Sequence, residues 1–287
     1  MANTSPMNTK FYKRIFSLLF LFCFVGNGCQ KSNRNQQNTQ PAPIPPTLSP
    51  VEDEQPPSKI PTDVWDTSDV DVSKISKEKK LIAFTFDDAP ARTLENILAV
   101  YAAYNENHPD TPAYATVFCN GNYINAQSPP LLAAACAMGF ELGNHTHSHH
   151  DLTRLTEETL RWEIDATDKI LSSIDGKPRH LLRAPFGKVN DNVKRLADAP
   201  IIDWTIDTLD WTGISEDEIY RNVMENKFSG AIVLMHDGYT HTVYALKRLL
   251  PDLQAEDYQV VSVSQLAKMH RCALKKGNVY IRARKQF

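Results

Sequence analysis

The stretch Leu81-Ile82-Ala83-Phe84-Thr85-Phe86-Asp87-Asp88-Ala89-Pro90 decides the fold. A short apolar run reads as a buried strand, and two adjacent acids stand where it stops. The same order recurs downstream. Strand-like runs at 115–119, 140–143, 181–184, 201–206, 231–235 and 259–263 alternate with helical patterns near 93–106, 129–138, 156–174, 190–198, 215–228, 241–254 and 264–269. Thr156 and Ser215 each precede acids in a first turn, and Pro129 with Pro130 suits a helix opening. Strands alternating with helices predict a parallel sheet covered by helices. Seven repeats predict an α/β fold, a distorted (β/α) barrel of about seven parallel strands.

Polar groups gather just after the predicted strands. Asp87-Asp88 follows the first, His145 to His149 the third, Asp207 and Asp210 the fifth, and His236 the sixth, while Arg183 ends the fourth. In such barrels the loops at the carboxyl ends of the strands converge on one face and build the active site. Five separate loops would bring these groups together.

Adjacent carboxylates in one loop repel each other unless a cation or another positive group compensates. An isolated Asp-Asp more often caps a turn. The run Gly143-Asn144-His145-Thr146-His147-Ser148-His149-His150 argues for chemistry instead, because neutral imidazole is the commonest metal ligand. His145 and His149 stand four apart, which predicts both rings on one side of a helical turn. With one carboxylate they leave open coordination positions, the pattern of a catalytic metal site. By sequence alone His147 and His150 are alternative ligands. The same ligand set could hold non-haem iron for oxygen chemistry, but Asp87, Arg183, Asp210 and His236 look like the acid–base machinery of hydrolysis. His108, His180, His241 and His270 have no supporting motif and are expected at the surface or in ordinary packing. Asp207 is expected to be structural.

In order, residues 85–90, 145–149, Arg183-Ala184-Pro185-Phe186-Gly187, Asp207-Thr208-Leu209-Asp210-Trp211 and Leu234-Met235-His236 resemble the five motifs of polysaccharide deacetylases, the NodB homology domain of carbohydrate esterase family 4. The resemblance spans roughly residues 80–270. It implies Asp87 as catalytic base, Asp88, His145 and His149 as metal ligands, and Arg183 as the group that orients the base. It also implies the Phe186 backbone N–H as an oxyanion donor, and His236 as general acid held by Asp210. Trp211 and Leu234 match the apolar pocket for the acetyl methyl. The implied cofactor is a divalent metal, Zn2+ first, with Co2+, Ni2+, Mn2+ or Fe2+ able to use the same ligands. The family has glycine where this chain has Ala89. Glycine often marks a positive φ or a close approach to the backbone, so the Ala89 methyl is expected to narrow the metal pocket or alter substrate approach.

The N-terminus carries a different message. Lys10, Lys13 and Arg14 precede an apolar run at 15–25, the order of a secretory signal whose run is short for a membrane span. Cys29 closes it, so residues 1–29 resemble a bacterial lipoprotein signal with Cys29 as lipidation site, although Gly26 stands where that pattern has an aliphatic residue. Residues 30–79 read as a disordered Pro/polar linker before a catalytic domain at 80–287. Within it, residues 62–79 either continue the linker or pack on the domain through Trp65. Cys119, Cys136 and Cys272 show no disulfide framework, and Cys119 and Cys136 suggest small buried hydrophobes.

A net charge of −3 gives no basic footprint for nucleic acid. The expected protein is therefore exported, membrane-anchored and facing the periplasm or cell exterior, with an acetylated glycan as substrate and no implied protein partner. Its expected reaction is metal-dependent removal of acetyl groups from an N-acetylated polysaccharide such as peptidoglycan, or from a chitin-like oligosaccharide, by hydrolysis of linear amides. The alternatives are an O-acetyl xylan-type esterase, an inactive glycan-binding lipoprotein, and an amidase for small amides.

Overall fold

The computed structural model describes residues 63–283. The signal, Cys29 and residues 30–62 of the linker lie outside the described residues. Strands β1 (Lys80–Ala89), β2 (Thr116–Cys119), β3 (Glu141–Asn144), β5 (Ile206–Asp207), β6 (Ile232–His236) and β7 (Tyr258–Val261) form one sheet. Every strand pairing in it is parallel. Its order is β3-β2-β1-β6-β5, with β7 pairing the start of β1. β4 (Ile201–Ile202) pairs with β8 (Val279–Tyr280) apart from it. Single parallel bridges from Asn144 to Leu182 and from Leu182 to Ile201 carry the row of strands from β3 to β4. The expected α/β class and parallel pairing are thus present, with no continuous ladder closing the barrel.

The helices are α1 (Leu94–Asn107), α2 (Ser128–Ala137), α3 (Glu157–Asp175), α4 (Asp191–Leu196), α5 (Glu216–Asn226), α6 (Thr240–Ala255) and α7 (Val263–Met269). The foreseen caps are in place: the Thr156 hydroxyl accepts the Thr159 N–H, and Ser215 with Glu218 forms a capping box.

The period-two alternation of β1 sorts its side chains between two apolar clusters. Ile82, Phe84 and Phe86 join a core with Leu94, Ile97 and Tyr101 of α1 and Leu246 and Leu249 of α6. Leu81 and Ala83 face the other way, among Phe118, Leu181, Ile202 and Val261. Thr85 and Asp87 share that second direction, so the strand that anchors the helices also delivers Asp87 to the inner side.

Three expectations require correction. Residues 181–184 form no strand: only Leu182 bridges, to Asn144 and to Ile201. The single strand expected at 201–206 is two short ones, parted at Asp203, whose carbonyl accepts from Arg183 Nη2 at 3.1 Å. Residues 63–79, placed in the linker span with packing through Trp65 left open, pack on the domain. Trp65 N–H donates to the Leu274 carbonyl at 2.8 Å, Ile75 is buried, and Gln259 and Lys268 side chains hold the carbonyls of Lys74, Ser68 and Val70.

Candidate active site

Strand alternation would send two successive acids to opposite faces, yet Asp87 and Asp88 line one cavity. A register shift between β1 and β2 at Phe86/Ala89 resolves this, with Asp88 in the left-handed region at φ 61°. Such bulges re-aim side chains beside active sites. Beyond it Ala89 returns to the helix-side core, fully buried. Its φ is not positive, so the expected conflict does not arise here: the left-handed residue is Asp88, and the Ala89 methyl packs away from the cavity.

Register places the remaining groups. Asp87 pairs with His236 across β1 and β6, and Leu234 pairs with Thr85 and with Asp207. His145 directly follows β3. The cavity, of about 440 Å³, is lined by Asp87, Asp88, His145, His149, Phe186, Trp211, Leu234 and His236, together with Trp204, Asp207 and Tyr239. All the proposed ligands and the base and acid therefore share one pocket, while Arg183 and Asp210 lie buried behind it.

Arg183 is fully buried and every arm is engaged. Nη1 donates to Asp87 Oδ1 at 2.8 Å and to Thr85 Oγ1 at 2.6 Å, and Nε donates to the Ile202 carbonyl at 2.9 Å. Its guanidinium lies 4.2 Å from the Phe118 ring centroid. Burial opposes ionisation of Asp87, but the Arg183 guanidinium beside it outweighs that and holds the carboxyl below its ordinary value. Asp87 is thus anionic near neutral pH and able to take a proton.

His145 Nδ1 faces the Arg183 carbonyl at 2.8 Å. A carbonyl only accepts, so Nδ1 carries the proton and the Nε2 lone pair points elsewhere. Nε2 lies 3.8 Å from Asp88 Oδ1 and 3.6 Å from Asp87 Oδ2, and His149 Nε2 lies 3.6 Å from Asp88 Oδ1. These separations are too long for hydrogen bonds. Burial, with the His145 ring beside it, keeps the His149 pKa below its ordinary value, favouring the neutral ligand form. Asp88 Oδ1 is buried and has no hydrogen-bond partner among the described residues. An orphaned carboxylate oxygen facing two imidazole nitrogens, all ligand atoms within 4.8 Å of one another, fits a divalent cation. The expected helical turn is absent: residues 145–149 form a loop with Thr146 at φ 68° and His149 at φ 56°. His147 packs against Trp162, and the His150 ring, largely exposed, faces Glu163.

The opposite wall is fully bonded. Asp210 is buried; its Oδ1 faces His236 Nδ1 at 2.8 Å, and its Oδ2 accepts the His236 N–H at 2.8 Å and the Thr242 hydroxyl at 2.7 Å. Burial lowers the His236 pKa, but the Asp210 hydrogen bond and the charges of Asp87 and Asp210 overcome it, so the net shift is upward. His241, expected to be uninvolved, donates from Nε2 to the Asp210 carbonyl at 2.8 Å. Phe186 is exposed at φ 60°, its ring edge-on to His149 at 4.8 Å. Gly187 follows at φ 63°, and a side chain there would meet the Trp204 ring at 3.0 Å. Trp211 is also exposed, and Asp207 caps its own turn by accepting the Leu209 N–H at 2.8 Å.

Asp237 went unnoticed in the sequence. Its N–H donates to the Asp87 carbonyl at 2.9 Å, and its carboxyl accepts from the Ala91 N–H and from Thr93 N and Oγ1, at 3.0 and 2.6 Å for the latter two. It ties the loop after Asp87-Asp88 to the strand end that carries His236. A single acid beside a histidine gives no sequence pattern to find it by. Cys119, Cys136 and Cys272 are free, and burial pushes the Cys136 thiol up to about 11.

Comparison with known proteins places the chain. The polysaccharide deacetylase family profile matches residues 74–200. A peptidoglycan-N-acetylglucosamine deacetylase of Bacillus cereus is 32% identical, covering 66% of this chain and 68% of that protein. A bifunctional xylanase/deacetylase of Pseudobutyrivibrio xylanivorans is 30% identical, covering 68% of this chain but 31% of its own length. The solved structure of peptidoglycan deacetylase PdaC from Bacillus subtilis superposes with a TM-score of 0.63 at 31% identity, over 69% of this chain and 94% of that one. The chain belongs to the polysaccharide deacetylase family. It spans between about a third and two thirds of the length of these two curated relatives.

Proposed function

We propose that the protein is a metal-dependent deacetylase of N-acetylated glycan, with peptidoglycan as the leading substrate class. One observation carries this reading: a single cavity holds the Arg183-paired Asp87, the Asp88–His145–His149 ligand trio and a histidine bonded through Nδ1 to Asp210. The names of the relatives supply the glycan, since the Bacillus cereus and Bacillus subtilis proteins are peptidoglycan deacetylases.

Asp88, His145 and His149 would hold a divalent cation, Zn2+ first, which would supply Lewis acidity toward an acetyl carbonyl and a bound water. Asp87, held by Arg183, accepts the proton of the attacking water. His236 protonates the departing amine, and its Asp210 partner keeps Nδ1 bonded so that Nε2 does the work. The Phe186 N–H is the oxyanion donor in this scheme, and Trp211 with Leu234 encloses the acetyl methyl. Upstream, lipidation of Cys29 would tether the domain at the envelope surface, on the outer side of the membrane that carries it.

The test is acetate release from a panel of N- and O-acetylated glycans, with and without chelator, using Asp87→Asn as the inactive control. Chelator-sensitive release from peptidoglycan or chitin oligomers is the expected outcome. Release from O-acetyl xylan alone would move the substrate to the esterase alternative, and full activity in Asp87→Asn would remove Asp87 from the base role.

A further inference from the structure

Helix α3 buries Leu160, Ile164, Thr167 and Leu171 along one face. Glu163 lies within that face and is 1% exposed. A carboxylate in such a place is costly unless it is hydrogen-bonded. It is bonded, and to the loop that carries two proposed metal ligands. Oε2 accepts the His147 N–H at 2.9 Å and the Ser148 N–H at 2.7 Å, while Oε1 faces His150 Nδ1 at 3.3 Å.

The neighbouring backbone donors complete the pattern. His145 N–H donates to the Cys119 carbonyl, Thr146 N–H to Asn144 Oδ1, and His149 N–H to Thr146 Oγ1. Asn144 in turn donates from Nδ2 to the Ile164 carbonyl, one residue beyond Glu163. The five successive N–H groups from His145 through His149 are therefore fixed, and α3 holds those of His147 and Ser148 directly. The chain takes left-handed steps at Thr146 and His149, and the Cys119 carbonyl with the side chains of Asn144, Glu163 and Thr146 supplies the partners these N–H groups need. Such steps persist only where the surroundings over-determine them.

We infer that Glu163 is a positioning residue for the metal, setting the separation and aim of His145 and His149 by holding the two N–H groups between them. The inference rests on the metal site proposed above. Its action is through geometry and not through charge. A Gln carbonyl oxygen has two lone pairs and can accept both N–H groups, whereas Asp withdraws the acceptor by about one C–C bond, ~1.5 Å.

The experiment strips the full chain of metal and titrates Zn2+ against a chromophoric chelator, below the unfolding transition of each variant, with folding checked by circular dichroism. His149→Ala is the control for the site itself and should lose high-affinity binding. Glu163→Ala should weaken Zn2+ binding by about 10–100-fold, the usual effect of losing an outer hydrogen-bond partner. Glu163→Gln should rescue to within about threefold, because both bonds can be remade. Glu163→Ala with wild-type affinity, while His149→Ala has lost it, would overturn the role of Glu163 and leave the metal site standing. If wild type and His149→Ala bind alike, the metal site itself is wrong. Should Glu163→Ala fail to fold, the pair Glu163→Gln and Glu163→Asp decides the matter: position requires Gln to bind more tightly than Asp, and the reverse order rejects it.

Discussion

The two walls of the cavity are built on opposite principles. On the β1 and β3 side the backbone is left-handed at Asp88, Thr146 and His149, and Asp88 Oδ1 has no hydrogen-bond partner among the described residues. Non-glycine residues held there cost of order 1–3 kcal/mol each. On the β6 side Asp210 accepts three bonds and its histidine partner is pinned at Nδ1. One wall is arranged around a charge the chain does not supply, and the other is complete in itself. The difference teaches which parts of the chemistry depend on a cofactor and which on the fold alone.

The largest effects should come from emptying the first wall. Chelation, or His149→Ala, is expected to cut acetate release by about 10³-fold or more, the weight of several kcal/mol of Lewis-acid stabilisation. Circular dichroism should stay native, since no hydrogen bond of the β6 wall passes through the ligands. Activity that survives thorough chelation would erase the contrast between the walls.

Damage to the second wall should leave the first intact. Asp210→Asn is expected to lower kcat by about 10²-fold or more while the protein keeps its bound metal. His236 has a pKa raised above its ordinary 6.5, with the Asp210 hydrogen bond and nearby carboxylates overcoming burial. The acid form is therefore kept to higher pH, and activity falls as pH rises through that raised value. In Asp210→Asn this alkaline limb should move to lower pH. The linked stability has the same sign. The contribution of the pair is fully present below the unfolded value and is lost as pH rises through the folded one. Melting curves of wild type against Asp210→Asn across pH 5–9 should converge toward the alkaline end, and parallel curves would break the assignment.

Asp237 spans the two walls, so its loss should be felt as stability before chemistry. Asp237→Asn sets an NH2 group against the Ala91 or Thr93 donors in place of an acceptor oxygen, and an expected cost of about 1–3 kcal/mol would appear in denaturant unfolding. An unchanged midpoint would show that the loop after Asp88 is held by something else.

What was legible in the sequence follows from this same division. The β6 wall and the ligand residues carry side-chain types that chemistry requires in fixed order, and five loops at strand ends announced them. The supports are ordinary residues whose role depends on a tertiary partner. Glu163 is one acid in a helix that also holds Glu157 and Glu158, and only burial separates it from them. The i, i+4 spacing of His145 and His149 suggested a helical turn because spacing cannot show that Asn144, Thr146 and Glu163 will take over the backbone donors. Strand ends were harder still. Residues 181–184 are apolar enough for a strand, yet they join their neighbours through single bridges at Leu182. β8 has two residues and no pattern of its own. Residues 63–79 lack apolar density, yet Trp65 and Ile75 suffice to dock them against the second core cluster.

Ala89 is where the two walls can be compared at the smallest scale. It sits beside Asp88, and as a departure from the family's glycine it was expected to disturb the metal wall. The structure moves the strain one residue upstream: Asp88 takes the positive φ, while Ala89 has resumed strand geometry with its methyl in the helix-side core. Ala89→Gly should therefore give the metal site no relief, and acetate release should stay within about twofold of wild type because no cavity group changes. Stability should fall by about 1 kcal/mol, from the lost methyl contact and the added freedom of the unfolded chain. A clear gain in kcat or in Zn2+ affinity would mean that the methyl does press on Asp88, and that the strain of the metal wall begins at Ala89.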